Sequence, residues 1–476
     1  MRSLPIGLTV AAVLALTTAL TPAASAAPMP QPDPPTTRVS VSSDEVQGNA
    51  RSAASSVSRT GRFVSFESGS TNLVPGDTNG TFDIFARDRL LGTTALVSLS
   101  STGAQGNDLS FGSATSGTGR YVAFISAASN LVPGDTNGAL DIFVRDRLLS
   151  TTSRVSLPAA GGQGNSESTV PSISYDGRYV SFTSYATNLV PGDTNGVPDV
   201  FVRDRLLGTT TRVSVSSAGV QGNGPSGFTS TMISGAGRYV IFYSEASNLV
   251  PGDTNGVADI FVRDLLLATT IRVSVSSAAA QGDGDSSGPA ISADGRFAAF
   301  SSWSSNLVPG DTNGYEDVFV RDLLTGVTRR VSVASGGAQA DGFSNQPALS
   351  GDGLRVAFVS TSSNLVPGDT NFDEEVFLHE WPTGTTTRLS VSATGEQAND
   401  RSNDPSIDYS GRFVPFTSYA TNLVFDDTNN SLDVFVRDAG NPNTQPPRAE
   451  RRLRGEGCGR TAEAQAARRS PARRVA

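Results

Sequence analysis

One stretch of the chain recurs seven times, and this repeat constrains the fold more than any other feature. Its second copy reads SNLVPGDTNGALDIFVRD, at residues 129–146. Five of the six spacings between copies are 58 residues, and the sixth is 60. A period this regular predicts a repeat architecture in which each unit is one supersecondary motif. The aspartate that opens the DTN core of each copy is Asp77, Asp135, Asp193, Asp253, Asp311, Asp369 or Asp427.

One repeat unit has the pattern of four short β-strands, and the third copy shows it clearly. STVPSIS (168–174) and YVSFTS (179–184) are two strands separated by an Asp-Gly turn. DVFVRD (199–204) has a continuous apolar centre, which suits burial on both faces. TRVSVSS (211–217) alternates in polarity, as expected for a strand at an exposed outer position. The unit has almost no helical periodicity.

The two ends of the repeat body indicate a closed ring. The body opens with TTRVSVSS (36–43), an outer strand that no inner strand precedes. It closes over residues 405–438 with three inner strands, PSID, RFVPFTS and DVFVRD, that no outer strand follows. Pairing the first strand with the last unit would remove an exposed sheet edge. The sequence therefore predicts an all-β fold: a single seven-bladed β-propeller of four-stranded blades over residues 36–438.

A motif in the repeat resembles that of a known family. The pattern S-x-D-G-R-[YF]-V-x-F, followed by D-[IV]-F-V-R-D, is similar to the WD40-like repeats of TolB-type β-propellers and covers residues 36–438. The resemblance implies the architecture and says little about activity. TolB itself binds a peptidoglycan-associated lipoprotein, but the period here is longer than the roughly 40–45 residues usual for such blades. The resemblance therefore does not imply TolB's partner.

The segments that flank the repeat body predict export. Residues 1–26 combine a basic start, an apolar run from Leu4 to Leu20 and a small-residue cleavage site, which is typical of a secretory signal peptide. A membrane anchor is the alternative, but the run is short and contains Gly and Thr. Residues 27–35 form a Pro-rich linker, and residues 439–476 form a basic tail that we expect to be disordered. We therefore expect a secreted protein with no membrane span.

Charge and the rarest residues exclude several function classes. The net charge is −9 although the tail contains nine Arg and only three Glu, so the body is strongly acidic. Such a body is unsuited to nucleic acid. The only cysteine, Cys458, excludes an intramolecular disulfide, and the only histidine, His379, excludes any mechanism that needs two. Blade six departs most from the repeat, at FLHEWPTG (377–384), where we expect His379 to be exposed.

The Asp-rich loop is a candidate calcium site. Placing Gly80 at the glycine position of a calcium loop sets Asp77, Asn79 and Asp83 at three ligand positions. Pro75 stands at the first position and has no side-chain oxygen, so a structural turn capped by its own Asp, Thr and Asn side chains is the favoured alternative. The candidate ligands are Asp77, Asn79, Asp83, Asp135, Asn137, Asp141, Asp193, Asn195, Asp199, Asp253, Asn255, Asp259, Asp311, Asn313 and Asp317.

Two recurring motifs are expected on one face of the ring. In a four-stranded meander, the loop between the second and third strands and the loop between blades emerge at the same end. The DTN core and a recurring Gln-Gly-Asn motif, first at 47–49, occupy these loops. Gly-Arg turns such as the one at Arg62 belong to the opposite end. We expect Gln and Asn to hold neighbouring blades together.

The sequence contains no catalytic set, so the leading hypothesis is a non-catalytic binding or scaffold module. Its ligand would be a protein, a cell-wall polymer or a glycan, and we expect a monomer. One alternative is a carbohydrate-active enzyme that uses paired carboxylates. Another is a surface protein stiffened by calcium, and calcium is the only cofactor that the sequence suggests. The sequence does not select a binding face, and the departures from the repeat at Trp303 and Trp381 are interpreted as drift.

Overall fold

The computed structural model describes residues 36–440, and this part of the chain is all-β. It contains 28 strands and no helix. The strands form seven separate four-stranded antiparallel sheets, each of which is one blade of a ring. The prediction of a seven-bladed β-propeller is confirmed.

The strands follow one another with little variation in length. In chain order they are β1 (Thr36–Arg38), β2 (Ser52–Val57), β3 (Phe63–Ser68), β4 (Asp83–Asp88), β5 (Thr93–Leu96), β6 (Ser110–Thr115), β7 (Tyr121–Ser126), β8 (Asp141–Asp146), β9 (Thr151–Arg154), β10 (Ser168–Ile173), β11 (Tyr179–Ser184), β12 (Asp199–Asp204), β13 (Thr209–Arg212), β14 (Ser226–Ile233), β15 (Tyr239–Ser244), β16 (Asp259–Asp264), β17 (Thr269–Arg272), β18 (Ser286–Ile291), β19 (Phe297–Ser302), β20 (Asp317–Asp322), β21 (Val327–Arg330), β22 (Ser344–Leu349), β23 (Arg355–Ser360), β24 (Glu375–Glu380), β25 (Thr385–Arg388), β26 (Ser402–Asn403), β27 (Phe413–Ser418) and β28 (Asp433–Asp438). Blade one is β2–β5, and blades two to six each take the next four strands.

The seventh blade combines both ends of the repeat body. Its strand order is β26, β27, β28 and then β1. Thr36 of β1 pairs with Arg437 of β28, and Arg38 pairs with Phe435. This antiparallel pairing closes the ring as the sequence predicted, and it covers the edge of β28 that would otherwise be exposed.

The core lies between neighbouring blades. All six residues of the third strand β8 are buried, because each sheet is covered on both faces. Phe124 and Phe143 stack within blade two with ring centroids 5.9 Å apart, and the six other blades repeat this pair at similar distances. Ile142 of blade two packs in one cluster with Phe182 of blade three. Each such buried side chain contributes about 1.5–3 kcal/mol.

The outer strands are shorter than the sequence predicted. In blade three the prediction covered 211–217, but β13 ends at Arg212. The reason is that Ser214 continues the contact through its side chain. Its hydroxyl accepts a hydrogen bond from the amide of Val200 at 3.1 Å and donates one to Asp199. The alternating polarity of the segment therefore arises partly from this side-chain hydrogen bonding and not from a continuous β-strand alone.

The innermost strand of blade seven was also placed wrongly. The sequence predicted it at PSID (405–408), but β26 is limited to Ser402–Asn403. Asp404 adopts a φ of 48°, and Pro405 has no amide hydrogen to donate to a ladder. The strand therefore ends before the predicted segment begins.

The predicted signal peptide (1–26), the linker (27–35) and residues 441–476 of the predicted tail lie outside the described residues. Within 36–440, no helix is long and apolar enough to cross a membrane.

Candidate functional site

The blades present two faces with different chemistry. We call the face that carries loops 39–51 and 69–82 of blade one, and their equivalents in the other blades, the aspartate face. The opposite arginine face carries turns 58–62 and 89–92 and their equivalents. Antiparallel strands place successive connections at opposite ends, so each connection belongs to one of these two faces.

The predicted calcium ligands of each repeat do come together on the aspartate face. In blade two, the Nη1 atom of Arg154 lies 3.0 Å from Asp135 Oδ1 and 2.9 Å from Asp141 Oδ2. The amide nitrogen of Asn137 donates to Asp141 at 3.2 Å. Burial raises the pKa of Asp135, while the charge of Arg154 counteracts this shift. A guanidinium therefore lies between the two carboxylates and supplies the neutralising charge.

Five other blades repeat this arrangement with an arginine of the outer strand. The pairs are Arg212 with Asp193 and Asp199, Arg272 with Asp253 and Asp259, Arg330 with Asp311 and Asp317, Arg388 with Asp369 and Glu375, and Arg38 with Asp427 and Asp433. Each of these arginines has a side chain that is nearly buried. The sequence pattern did not indicate this role, because the arginine belongs to another strand. In blades two to six it follows the first aspartate by 19 residues, and in blade seven it comes from the opposite end of the repeat body.

Blade one is the exception, because Leu96 stands where the other blades have the arginine. Its carboxylates Asp77 and Asp83 are bridged by the amide nitrogen of Gln105, at 2.7 and 2.8 Å. Asn79 donates to Asp83 at 2.8 Å. Burial is the main cause that raises the pKa of Asp83, and the charge of Asp77 raises it further. Blade one therefore holds the same aspartate pair without an internal cation.

The loop itself has the self-capped conformation that the sequence favoured. The side-chain oxygen of Asn79 accepts a hydrogen bond from the amide of Thr81 at 3.1 Å, and Gly80 adopts a φ of 69°. Gln105 belongs to the connection that leads into blade two, yet it bonds the aspartates of blade one. The prediction that Gln links neighbouring blades is confirmed.

Calcium binding stays a prediction. Among residues 36–440, no group of three or more His, Cys, Asp or Glu side chains is placed to hold a metal ion. An ion in blade one would therefore need amide or backbone oxygens in addition to Asp77 and Asp83. The arginines of the other blades already occupy the space beside the carboxylates, which makes blade one the best candidate.

The repeat is also broken between blades four and five, on the aspartate face. A cavity of about 710 Å³ opens there and is lined by Tyr243, Glu245, Asp285, Trp303 and Glu316, among others. We call this cavity the aromatic cleft. Trp303 is 49% exposed, so much of its indole ring is available to a ligand. A cavity with aromatic walls and a few polar groups is the usual form of a ligand site.

The aromatic surface continues beside the cleft. The ring of Phe343 lies edge-on to Trp303 with centroids 5.5 Å apart and edge-on to Tyr315 at 4.8 Å. Tyr315 and Phe343 are both more than one-third exposed. Three rings from two blades therefore form one contiguous aromatic surface next to the cavity.

The carboxylates of the cleft are held by hydrogen bonds. Glu316, only 9% exposed, accepts from the hydroxyl of Ser301 at 2.7 Å and from that of Ser287 at 3.2 Å. The phenol of Tyr243 donates to Glu245 at 2.8 Å. Burial and this bond to Glu245 raise the pKa of Tyr243. The cleft is therefore an acidic site with ordered polar groups.

A comparison of the seven copies would have identified the cleft from the sequence. The residues equivalent to Trp303 are Gly69, Ala127, Tyr185, Glu245, Thr361 and Tyr419, and those equivalent to Glu316 are Phe82, Leu140, Pro198, Ala258, Glu374 and Leu432. Trp303 was attributed to drift, and Glu316 and Tyr243 were missed. The sequence signal for the cleft is the variation among the seven copies at these two positions, in a repeat that is otherwise nearly constant.

The central channel is obstructed at the arginine face. Tyr175 and Tyr409 meet there with centroids 6.3 Å apart, and the guanidinium of Arg59 lies 4.3 Å from the ring of Tyr409. Burial raises the pKa of Tyr175 to about 12. Blades two, four and six have glycine at the equivalent position, and a Cβ at Gly235 of blade four would lie 2.6 Å from the ring of Tyr175. The channel is therefore better approached from the aspartate face.

The expectation that His379 is exposed was wrong. The side chain is 4% exposed, and its Nδ1 atom lies 2.8 Å from the hydroxyl of Thr386. It occupies the position of the buried Arg145 of blade two, whose guanidinium bonds Thr152 in the same way. Burial lowers the pKa of His379 to about 4. His379 is therefore a neutral packing residue.

Comparisons with known proteins support the fold alone. No protein-family model matches the sequence, and no curated protein matches it significantly. A solved structure of similar fold is an oligogalacturonate lyase in complex with manganese, 12% identical, with a TM-score of 0.51 over 85% of this chain and 92% of the lyase. Another is the propeller domain of the Trilobed protease from Pyrococcus furiosus, 8% identical, with a TM-score of 0.51 over 82% of this chain and 96% of that domain.

TolB from Acinetobacter baumannii is also similar, at 16% identity, with a TM-score of 0.38 over 71% of this chain. This chain covers 63% of the length of that TolB. The protease propeller is described as having an open Velcro topology, whereas β1 and β28 pair in this chain. Identities this low do not transfer an activity.

Proposed function

We propose that this protein is an exported, non-catalytic binding module that holds a polysaccharide in the aromatic cleft of its aspartate face. The observation that carries the proposal is the half-exposed indole of Trp303, which borders a cavity with ordered carboxylates. Flat aromatic rings offer an apolar surface to a sugar ring, and carboxylates accept hydrogen bonds from its hydroxyls. Export is supported by the signal pattern in residues 1–26.

The charge of the cleft favours one class of polysaccharide. Glu245, Asp285 and Glu316 line it, and no arginine is among its lining residues. A polymer of uronic acids, such as the substrate named for the oligogalacturonate lyase of similar fold, would be repelled. A neutral or amino-bearing polysaccharide fits the lining, because hydroxyl and ammonium groups both donate to carboxylates.

Binding measurements on a Trp303→Ala variant test this proposal. Oligomers of N-acetylglucosamine, glucosamine and galacturonate are titrated into the purified protein by calorimetry. We expect binding of one of the first two and a loss of about tenfold or more in affinity for the variant, because aromatic anchors carry much of the energy at such sites. Tyr185→Ala is the matched control, since Tyr185 holds the equivalent position in blade three. Equal losses in both variants, or binding of galacturonate alone, would refute the proposed site.

A carbohydrate-active enzyme is the second candidate, because three carboxylates line the same cavity. Release of reducing ends from the bound oligomer would distinguish it. A Glu316→Gln variant that abolishes such release while it still binds the oligomer would establish catalysis. Binding without any release supports the non-catalytic module.

A further inference from the structure

The arginine face carries exposed leucines at the tips of consecutive blades. The turn between the third and fourth strands holds Leu90 and Leu91 in blade one, Leu148 and Leu149 in blade two, Leu206 and Leu207 in blade three, Leu266 and Leu267 in blade four, and Leu324 in blade five. These nine side chains are 63–77% exposed. We call them the leucine arc. Large apolar side chains repeated at this exposure indicate an interaction surface.

The turns do not need the leucine side chains. In blade one, Asp88 accepts hydrogen bonds from the amides of Leu90 and Leu91 at 3.1 and 3.3 Å. Arg62 holds Asp88 through two hydrogen bonds of 2.9 and 2.7 Å, and Gly92 adopts the positive φ of 64° that ends the turn. Backbone amides and neighbouring side chains build the turn, so the turn would form equally well with polar residues at the two tip positions.

The symmetry of the ring gives the arc a flat shape. Equivalent positions of the blades of a propeller lie on one circle, so the tips of blades one to five lie near a common plane. The turn of blade six has Pro382 and Thr383 at these positions, and blade seven has Gly440 at the first of them. The arc therefore spans five consecutive blades, with apolar pairs separated by polar residues. Such a surface suits a flat partner better than a protein groove.

Basic residues accompany the leucines. The arginine-face turns of blades one and two contain Arg59, Arg62, Arg89, Arg120 and Arg147 against two aspartates, Asp88 and Asp146. Within the described part of the chain, Arg147 forms no salt bridge; it donates to the carbonyl of Gly119 at 2.8 Å. This side of the arc therefore has an excess of positive charge.

The basic tail starts from the same face. The last described residues follow Asp438, which Arg412 of an arginine-face turn binds at 2.7 Å. The sequence that continues at residue 441 contains nine Arg and three Glu. A cationic segment that begins beside an apolar, cationic surface reinforces any attraction to an anionic partner.

We propose that the leucine arc docks the protein on the surface of an anionic lipid membrane. The leucines enter the interface between headgroups and acyl chains, and the arginines attract the anionic headgroups. The aspartate face, whose acidic groups are repelled by the same headgroups, points away from the membrane. This orientation leaves the aromatic cleft open, but the docking does not depend on what the cleft binds.

Vesicle flotation tests the docking. The full chain is mixed with vesicles of phosphatidylcholine and phosphatidylglycerol, or of phosphatidylcholine alone, at low and high salt. We expect binding to the anionic vesicles that weakens with salt. The variant Leu148→Ser, Leu149→Ser, Leu206→Ser, Leu207→Ser is expected to lower the partition coefficient by about tenfold per pair. The matched variant with isoleucine at the same four positions is expected to bind as the parent does.

Several outcomes would overturn the proposal. One is equal flotation of the serine and parent proteins at unchanged melting temperature, which would assign any binding to charge alone. Another is loss of flotation only when the chain ends at Gly440, which would assign it to the tail. A third is that light scattering without vesicles shows a dimer for the parent protein and a monomer for the serine variant. The arc would then join two copies of this chain.

Discussion

Blades one and two hold the same pair of aspartates in the same loop, but only blade two neutralises the pair with an arginine. Arg154 lies within about 3 Å of both carboxylates of blade two, whereas Leu96 takes its place in blade one. In blade one the amide of Gln105 alone bridges the two carboxylates. The residue at this one position of the outer strand thus decides whether a blade has an internal salt bridge, as blade two does with Arg154, or an acidic pair without a cation, as blade one does with Leu96.

The difference indicates how this repeat divides structure from function. Where all the parts of the network are present, the conspicuous Asp-Thr-Asn loop is a device that joins neighbouring blades. Chemistry that could serve a ligand appears where a copy departs from the pattern, at Leu96 and around Trp303. Positions that are constant in all copies of the repeat are therefore a poor guide to where this protein binds a ligand.

The largest effect is expected when blade two is deprived of its arginine. Arg154→Ala leaves Asp135 and Asp141 buried without a counter-charge, which costs about 3–5 kcal/mol in free energy of unfolding. Guanidinium denaturation measures the loss. Adding Asp135→Asn should recover part of it, because one of the two charges is removed. A loss below about 1 kcal/mol would show that Gln163 can bridge the pair as Gln105 does in blade one.

A second expected effect distinguishes blade six from the blades that have arginine at the position of His379. The folded pKa of His379 is about 4, below its unfolded value of about 6.5. The unfolded chain therefore binds the extra proton first, and the stability due to neutral His379 is present above pH 6.5 and lost as the pH falls to about 4. The loss amounts to about 3 kcal/mol.

The variant His379→Arg restores the residue type of the other blades and removes this titration. The difference between the variant and the parent in unfolding free energy, measured from pH 7 to pH 4, isolates it from the carboxylates that titrate in both proteins. Parallel pH profiles would contradict the burial of a neutral His379.

The smallest expected effect tests whether blade one can be converted into blade two. Leu96→Arg supplies the missing guanidinium and should stabilise the protein by about 1–2 kcal/mol at neutral pH, since it pairs a partly desolvated Asp77 and Asp83. If calcium binds blade one, millimolar calcium raises the melting temperature of the parent protein but not of this variant. A rise of equal size in both proteins would place the ion elsewhere, and no rise in the parent would remove the calcium hypothesis.

The sequence was sufficient for the fold because the repeat specifies it many times over. The period, the position of turns and the unpaired strands at both ends predicted seven blades and their closure. The sequence also predicted the capping by Asn79, which follows from local loop chemistry, and the link through Gln105, because a meander brings the two repeated loops to one face. Strand ends were less accurate, as Ser214 and Asp404 show, because a side chain or a strained backbone conformation replaced the expected ladder.

What the sequence determined by itself is thus the closed seven-bladed architecture and the local conformation of the repeated loops, since every copy must form them in the same way. The tertiary structure decided the contacts between separate strands and blades. The pairing of β8 with β9 brings Arg154 to Asp141, the folded ring buries His379, and the junction of blades four and five gathers Tyr243, Trp303 and Glu316. The physical reason is that charge neutralisation, desolvation and cavity shape depend on atoms that meet only when the ring is closed.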